Sequence, residues 1–275
     1  MIVLAVSDGI ADRFAQISSE AGRVHSVFTS ACNIQWSDGR LLALHGPGWL
    51  RAPFAAAVPR LPKNLVPGGV VQRTGSRIQM LNSEELVADH AARIETGMPA
   101  ARDMEPARLA GSLAQCGSAR PFLPSAEPAQ RMIAAAIARR DSGLFLASVR
   151  QLIGLGEGLT PAGDDCLVGI LAVLFRFVPG WVEESAVKEQ VATYLDDHTT
   201  TIGREFVWYA LRGAFSEPIV RLLTADSDAA VQRAAQTLCT FGATSGADTL
   251  AGVKLALDAL TGSASRCRST LVEET

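Results

Sequence analysis

Gly154-Leu-Gly-Glu-Gly-Leu-Thr-Pro-Ala-Gly-Asp-Asp165 runs without a break into the apolar segment from Cys166 to Phe177, and this junction decides how the chain is read. Four glycines within residues 154–163 free the backbone to wrap closely around a ligand. Thr160-Pro161 then supplies an N-cap and a first-turn residue for a helix near 160–177. The unpaired N–H groups of such a helix start attract an anion, while Asp164 and Asp165 in its first turn could hold a cation. The uncharged run from Cys166 to Phe175 ends at Arg176, about half of the roughly 20 residues that a membrane-spanning helix needs, so it reads as a buried core helix.

Composition agrees with a buried core. Of 275 residues, 48% are hydrophobic, and 25 basic residues are dispersed among 28 acidic ones for a net charge of −3. That balance leaves no nucleic-acid surface and no polybasic membrane patch, and favours small polar substrates or protein partners. Met1-Ile-Val-Leu-Ala-Val lacks a basic leader region and meets Asp8 and Asp12 early, so it reads as a first strand, with the cytoplasm as the expected compartment. Cys32, Cys116, Cys166, Cys239 and Cys267 show no CxxC spacing and are odd in number, which predicts reduced thiols and no zinc site. Cys166, beside the acidic pair, fits a small core residue better than a nucleophile.

The texture of the chain changes near residue 82. Ala31–Trp36 and Arg40–His45 flank Ser37-Asp38-Gly39 as a hairpin, and Val70–Arg73 and Arg77–Leu81 flank Thr74-Gly75-Ser76 as a second. Asn82-Ser83-Glu84-Glu85 resembles a capping box, and helical periodicity follows near 84–96, 104–116, 126–140, 142–152, 160–177, 182–197, 201–213, 217–224, 227–240 and 246–261. Three prolines mark 120–128 as a connector, and the polar residues from Ser265 as a frayed tail. The expected fold is α+β, with a small, mostly antiparallel β-domain over 1–82 and a larger, mainly α-helical domain over 83–275.

Within the helical part there is an internal repeat. Gly163-Asp-Asp165-Cys-Leu167-Val-Gly169-Ile170 aligns with Gly246-Ala-Asp248-Thr-Leu250-Ala-Gly252-Val253, both at helix starts and both preceded by a glycine and a threonine. In each copy the Asp and the second Gly lie four residues apart on one helix face, so the glycine permits close approach just inside the carboxylate. Ser245 with Asp248 three residues later is close to a capping box. Two readings stand: the Asp residues complement their helix dipoles at a tight helix crossing, or the two helix starts face one site. A third element, Asp196-Asp-His198-Thr-Thr-Thr-Ile-Gly203-Arg-Glu205, either caps the next helix or offers His198, Thr199 and Thr200 to a polar ligand. His25, His45 and His90 are isolated, Trp36, Trp49, Trp181 and Trp208 share no spacing, and the glycines at 154, 156 and 158 lack the dinucleotide-binding order.

The motifs at 154–165, His198-Thr-Thr-x-Ile-Gly203 and Gly242-x-Thr-Ser-Gly-x-Asp-x-Leu-x-Gly252, with Val24–Phe28 and Asn33–Leu44, resemble a bacterial family long of unknown function and loosely labelled carboxylase. Its best-understood member is the AllH-type subunit of catabolic oxamate carbamoyltransferase. The resemblance implies a part in allantoin catabolism, where oxalurate and phosphate give oxamate and carbamoyl phosphate. It also implies a complex with an FdrA-type subunit, similar to a succinyl-CoA synthetase α chain, and an AllG-type subunit, with homo-oligomerisation left open. On that footing Gly156, Gly158, Thr160 and Gly163 supply donors to a small anion, and Asp164 and Asp165 bind Mg²⁺ or orient the oxamate amide. His198 carries a proton, and Ser245, Gly246 and Asp248 complete the pocket with Thr199 and Thr200. Rival readings are a non-catalytic anion-binding or acyl-phosphate-binding assembly subunit and an independent carboxylase, although the chain has no biotin, haem or zinc motif and no nucleotide loop.

Overall fold

The computed structural model describes residues 1–47, 52–81, 83–101, 105–115, 126–184 and 186–262, and the chain divides into two compact units, Met1–Thr96 and Gly97–Thr275.

The first unit holds β1 (Ala5–Ser7), α1 (Asp8–Gln16), β2 (Ser19–Val27), β3 (Ala31–Trp36), β4 (Leu41–His45), β5 (Ala55–Ala57), β6 (Val70–Thr74), β7 (Arg77–Met80), β8 (Leu86–Val87) and β9 (Ala92–Ile94). They form one nine-stranded sheet in the order β8-β7-β6-β2-β3-β4-β5-β1-β9, antiparallel except for β4–β5 and β1–β9. Both expected hairpins are present, with Gly39 at φ 82° and Gly75 at φ 56° supplying the left-handed turn residues. The chain ahead of β1 also reaches β8. Ile2 bridges Val87 in parallel, with Val3 N–H donating to Val87 O at 2.8 Å and Val87 N–H to Met1 O at 2.9 Å, so the sheet closes on itself. Val3, Ile34, Leu42, Val71, Ile78 and Leu86 are all buried.

The helix expected near 84–96 is replaced by β8 and β9. The Ser83 hydroxyl donates to Lys63 O at 2.7 Å instead of capping a helix, and Leu86 and Val87 pair with Ile78 and Arg77. Sheet pairing outweighs a local capping signature there, and the break in contacts falls at 96/97 whereas the change in texture falls near 82. Helix α1 was not expected.

The second unit holds α2 (Pro106–Ala114), α3 (Glu127–Arg139), α4 (Ser142–Leu152), α5 (Ala162–Phe177), α6 (Trp181–Glu184), α7 (Val187–His198), α8 (Thr201–Ala210), α9 (Glu217–Leu223), α10 (Asp228–Cys239) and α11 (Ser245–Thr261). These follow the periodicity closely, with the helix expected at 182–197 divided into α6 and α7. Most of the connector expected at 120–128, and the tail from Ser265, lie outside the described residues. Helix α5 is buried at every position from Gly163 to Leu174, as a helix that is apolar on all sides must be, and lies against α11, α8 and α9. No helix among the described residues is long and apolar enough to cross a membrane.

Candidate functional site

The glycine-rich loop joins α4 to α5, and a shorter loop joins α10 to α11; the two connections are built alike. Leu155 N–H donates to Leu152 O at the end of α4, and Gly163 N–H returns to Leu155 O at 2.8 Å. In the second copy Phe241 N–H donates to Leu238 O at the end of α10, and Gly246 N–H returns to Phe241 O at 2.9 Å. A β-carbon on Gly163 would stand 1.9 Å from Leu152 O, and one on Gly246 would stand 1.7 Å from Leu238 O, so only glycine fits at either start. The inner glycines meet across the α5/α11 crossing. A β-carbon on Gly169 would lie 2.1 Å from Thr249 O and one on Gly252 would lie 2.0 Å from Cys166 O. Because Cys166 and Thr249 are themselves equivalent in the repeat, the contact is reciprocal.

Both repeat readings therefore have a physical counterpart: the helices cross tightly, and their starts are adjacent. The hydroxyls of Thr160 and Ser245 lie 2.7 Å apart, which joins the loop before α5 to the first turn of α11. Thr160 is not the N-cap. Pro161 occupies that position with no side-chain cap, which leaves the Thr160 hydroxyl for Ser245. Ser245 likewise sits one residue inside α11, behind Thr244.

Asp164 and Asp165 are both buried but differently engaged. Asp164 accepts the Gly154 N–H at 2.8 Å on Oδ1 and the Thr199 hydroxyl on Oδ2. Helix α8 approaches this carboxyl closely through Gly203, where a β-carbon would lie 2.3 Å from Oδ2. Burial pushes the Asp164 pKa up to about 6, against the hydrogen bonds from Thr199 and Gly154. Burial pushes Asp165 further, to about 8; the hydroxyls of Ser245 and Thr160 oppose the rise, and the charges of Asp164 and Asp248 add to it. Asp165 is 6% exposed, and its Oδ2 has no hydrogen-bond partner. Asp248 is buried in the first turn of α11. Cys166 is fully buried, and burial first, then the charges of Asp248 and Asp165, raise its pKa, so its thiol is held protonated in the core.

The 198–203 element caps α8, one of the two roles expected of it, and it also holds the glycine-rich loop. Thr200 caps α8, accepting the Gly203 N–H at 3.0 Å, and its hydroxyl donates to Leu159 O at 2.5 Å. Thr199 holds Asp164. His198 ends α7 with its ring exposed and stacked on Tyr194, centroids 3.6 Å apart, and with Nδ1 2.8 Å from Tyr194 O. What His198 gives the loop is its carbonyl oxygen, 2.0 Å from where a β-carbon on Gly154 would stand. Gly203 was not among the expected site residues, although its place at the end of the His-Thr-Thr-x-Ile-Gly run marked it.

Between these anchors the loop is open. Gly156 and Gly158 are exposed at φ 111° and 98°, conformations that L side chains rarely adopt. The backbone N–H groups of residues 156–160 have no partner among the described residues. No group of three or more His, Cys, Asp or Glu side chains placed to hold a metal ion occurs among the described residues.

Comparison with known families divides the chain much as the fold does. Residues 3–95 match the model described as the AllH family N-terminal domain, and residues 152–257 match that described as oxamate carbamoyltransferase subunit AllH. No solved structure matches the chain.

Proposed function

The chain belongs to the AllH family, and we propose that it serves as a subunit of an oxamate carbamoyltransferase-type complex that converts oxalurate and phosphate to oxamate and carbamoyl phosphate. In this reading a small anionic substrate binds where the starts of α5 and α11 meet. The observation that carries it is the Thr160–Ser245 contact, which joins two related helix starts beside the buried Asp165 carboxyl. The unpaired N–H groups of Gly156, Gly158 and Thr160 supply donors to negative charge on the bound or transferring group, and Gly163 and Gly246 let each helix start close on the preceding helix. Asp164 keeps the loop in place through Gly154 and ties it to α8 through Thr199; Thr200 fixes the loop's far end at Leu159. Asp165 and Asp248 face the ligand, and the exposed His198 is the proton carrier. Transfer would take place with FdrA-type and AllG-type partner chains present.

Turnover by the reconstituted complex tests this reading. Asp165→Ala and Asp248→Ala should each lower carbamoyl phosphate formation by at least about a hundredfold, the scale of losing one preorganised polar group at a transition state, with unchanged circular dichroism. Near-normal turnover in both variants would sink the assignment. A second reading, a subunit that only binds and presents the anion, draws on the commitment of Asp164 to Gly154 and Thr199 and of the His198 ring to Tyr194. It predicts that isolated chain binds the anion with no turnover, and that Asp165→Ala changes KM in the complex while sparing kcat.

A further inference from the structure

We propose that the groove between α9 and α10 is the docking surface for an acidic helix of a partner subunit. The groove is separate from the proposed site at the α5 and α11 starts, and the inference rests on that reading only in taking the chain to work within a complex.

Helices α9 and α10 are joined by residues 224–227 alone and pack side by side, so they run antiparallel. One face of each is already taken, on α9 by α5 and on α10 by α11 and α2. The buried positions of α10 are Val231, Ala235 and Leu238. Ala230, Ala234 and Thr237 each precede one of them, so they form a second stripe beside the buried one. That stripe faces Pro218 and Ala225 across a cleft of about 300 Å³. Small side chains on both walls let a third helix approach closely, the packing by which a groove takes up an amphipathic helix.

Charge selects the occupant. The chain as a whole carries a net charge of −3, yet the cleft is edged by Arg221 on one wall and Arg233 on the other. Arg233 is exposed and has no carboxylate partner among the described residues. Arg221 pairs with Glu217 four residues earlier on an exposed helix surface, a kind of pair that contributes little and exchanges readily. Two guanidinium groups on one cleft repel each other until a carboxylate enters it. The hydroxyls of Thr224 and Thr237 donate to Val220 O and Arg233 O of their own helices, so they add no donor for a small ligand. An apolar floor edged by arginine is instead the anatomy of a protein interface. Thr237, at one end of the cleft, precedes Leu238, whose carbonyl seats Gly246 at the start of α11. A helix lying in the groove therefore reaches the helix end on which the second helix start is built, without using the residues of the proposed site.

The test is titration of the FdrA-type and AllG-type subunits, each in turn, onto the immobilised full chain. Combined Arg221→Glu and Arg233→Glu substitution should weaken binding of one subunit by at least about tenfold, because like charges then meet across the groove. Added salt should weaken the wild type more than this variant. Ala234→Trp keeps both arginines but fills the cleft, and should weaken the same subunit by at least about tenfold; circular dichroism checks that both variants are folded. Unchanged binding after charge reversal overturns the inference. So does a loss on charge reversal that Ala234→Trp does not reproduce, which would put the contact on the rim and not in the groove. A dimer of the isolated chain that the same substitutions dissociate overturns it in favour of a second copy. Assembly that is intact after charge reversal, with turnover that has lost a response to added phosphate, overturns it in favour of a small anion. Turnover by a wild-type complex whose assembly ignores both substitutions removes the inference alone, whereas a wild-type chain that binds neither subunit removes the proposed function with it.

Discussion

The two Gly-x-Asp-x-Leu-x-Gly helix starts share their backbone and differ in their chemistry. Gly163 and Gly246 each seat a helix start on the last carbonyl of the helix before it, and Gly169 and Gly252 make the same contact with each other's helix. Everything a helix crossing needs is thus present twice. What occurs once is the acidic pair: Asp164 has Ala247 as its counterpart, and only the first copy is preceded by a long run of glycines. The shared residues hold the crossing; the unshared ones bring a loop and a buried carboxyl to it.

The most damaging way to break this comparison is at the shared glycines. Gly169→Leu and Gly252→Leu should each cost more than about 3 kcal/mol in urea unfolding, since a side chain there must displace backbone. Reciprocity further requires that the two losses agree within about 1 kcal/mol, counting only the usual scatter between equivalent sites. A large loss at one position and a small one at the other would end the symmetric description.

The acidic pair should stand out in the pH dependence of stability. A carboxyl whose pKa is higher in the folded than in the unfolded chain, near 3.9 when unfolded, stabilises the fold fully below pH 4 and loses that contribution as pH rises to its folded value. The loss from Asp164 is complete near its value of about 6, and that from Asp165 continues to about 8. Between pH 6 and pH 8, unfolding free energy should fall on account of Asp165, by about 1 kcal/mol per pH unit at first and less as pH nears 8. Asp165→Asn should remove that fall, and an unchanged slope would contradict the burial described for it.

Smaller effects separate the loop from the crossing. Asp164→Ala leaves the Gly154 N–H and the Thr199 hydroxyl without their acceptor and should cost about 1–3 kcal/mol. It should also speed amide exchange at Gly154, while amides at the middle of α11 stay protected. A Thr160→Val and Ser245→Ala double-mutant cycle should give a coupling of about 1 kcal/mol, the worth of one hydroxyl pair. No coupling would mean that the two helix starts are neighbours without being joined.

The residues that were legible in sequence are those whose role is local or carried by a missing side chain. Asp38-Gly39 and Gly75 marked hairpins because a turn needs a positive φ there, and α3, α4, α5, α8, α9, α10 and α11 showed their periodicity. The repeat was visible because close approach of two backbones leaves glycine behind. The strands at 86–87 and 92–94 were missed because two and three residues are too few to show alternation, and the partner of the second, β1, is distant in sequence. The contrast between Asp164 and Asp165 was also invisible, since it depends on Gly203 admitting α8 to one carboxyl and not on the carboxyls themselves. Tyr194 and His198 are four residues apart, a spacing that stacks side chains on a helix, and this signal for the direction of the imidazole was present in the sequence.

The closed sheet of the first unit has a consequence for how that unit comes to be folded. Residues 2–7 pair with β5, β8 and β9, all of which follow them by about fifty residues or more in the order of synthesis. Until Val87 and Ile94 have left the ribosome, residues 2–7 are an unpaired strand edge, the kind of surface on which nascent chains associate wrongly. Residues 2–7 gain β5 on one side first and their second neighbours only with β8 and β9, so this seam joins the partners most distant in sequence.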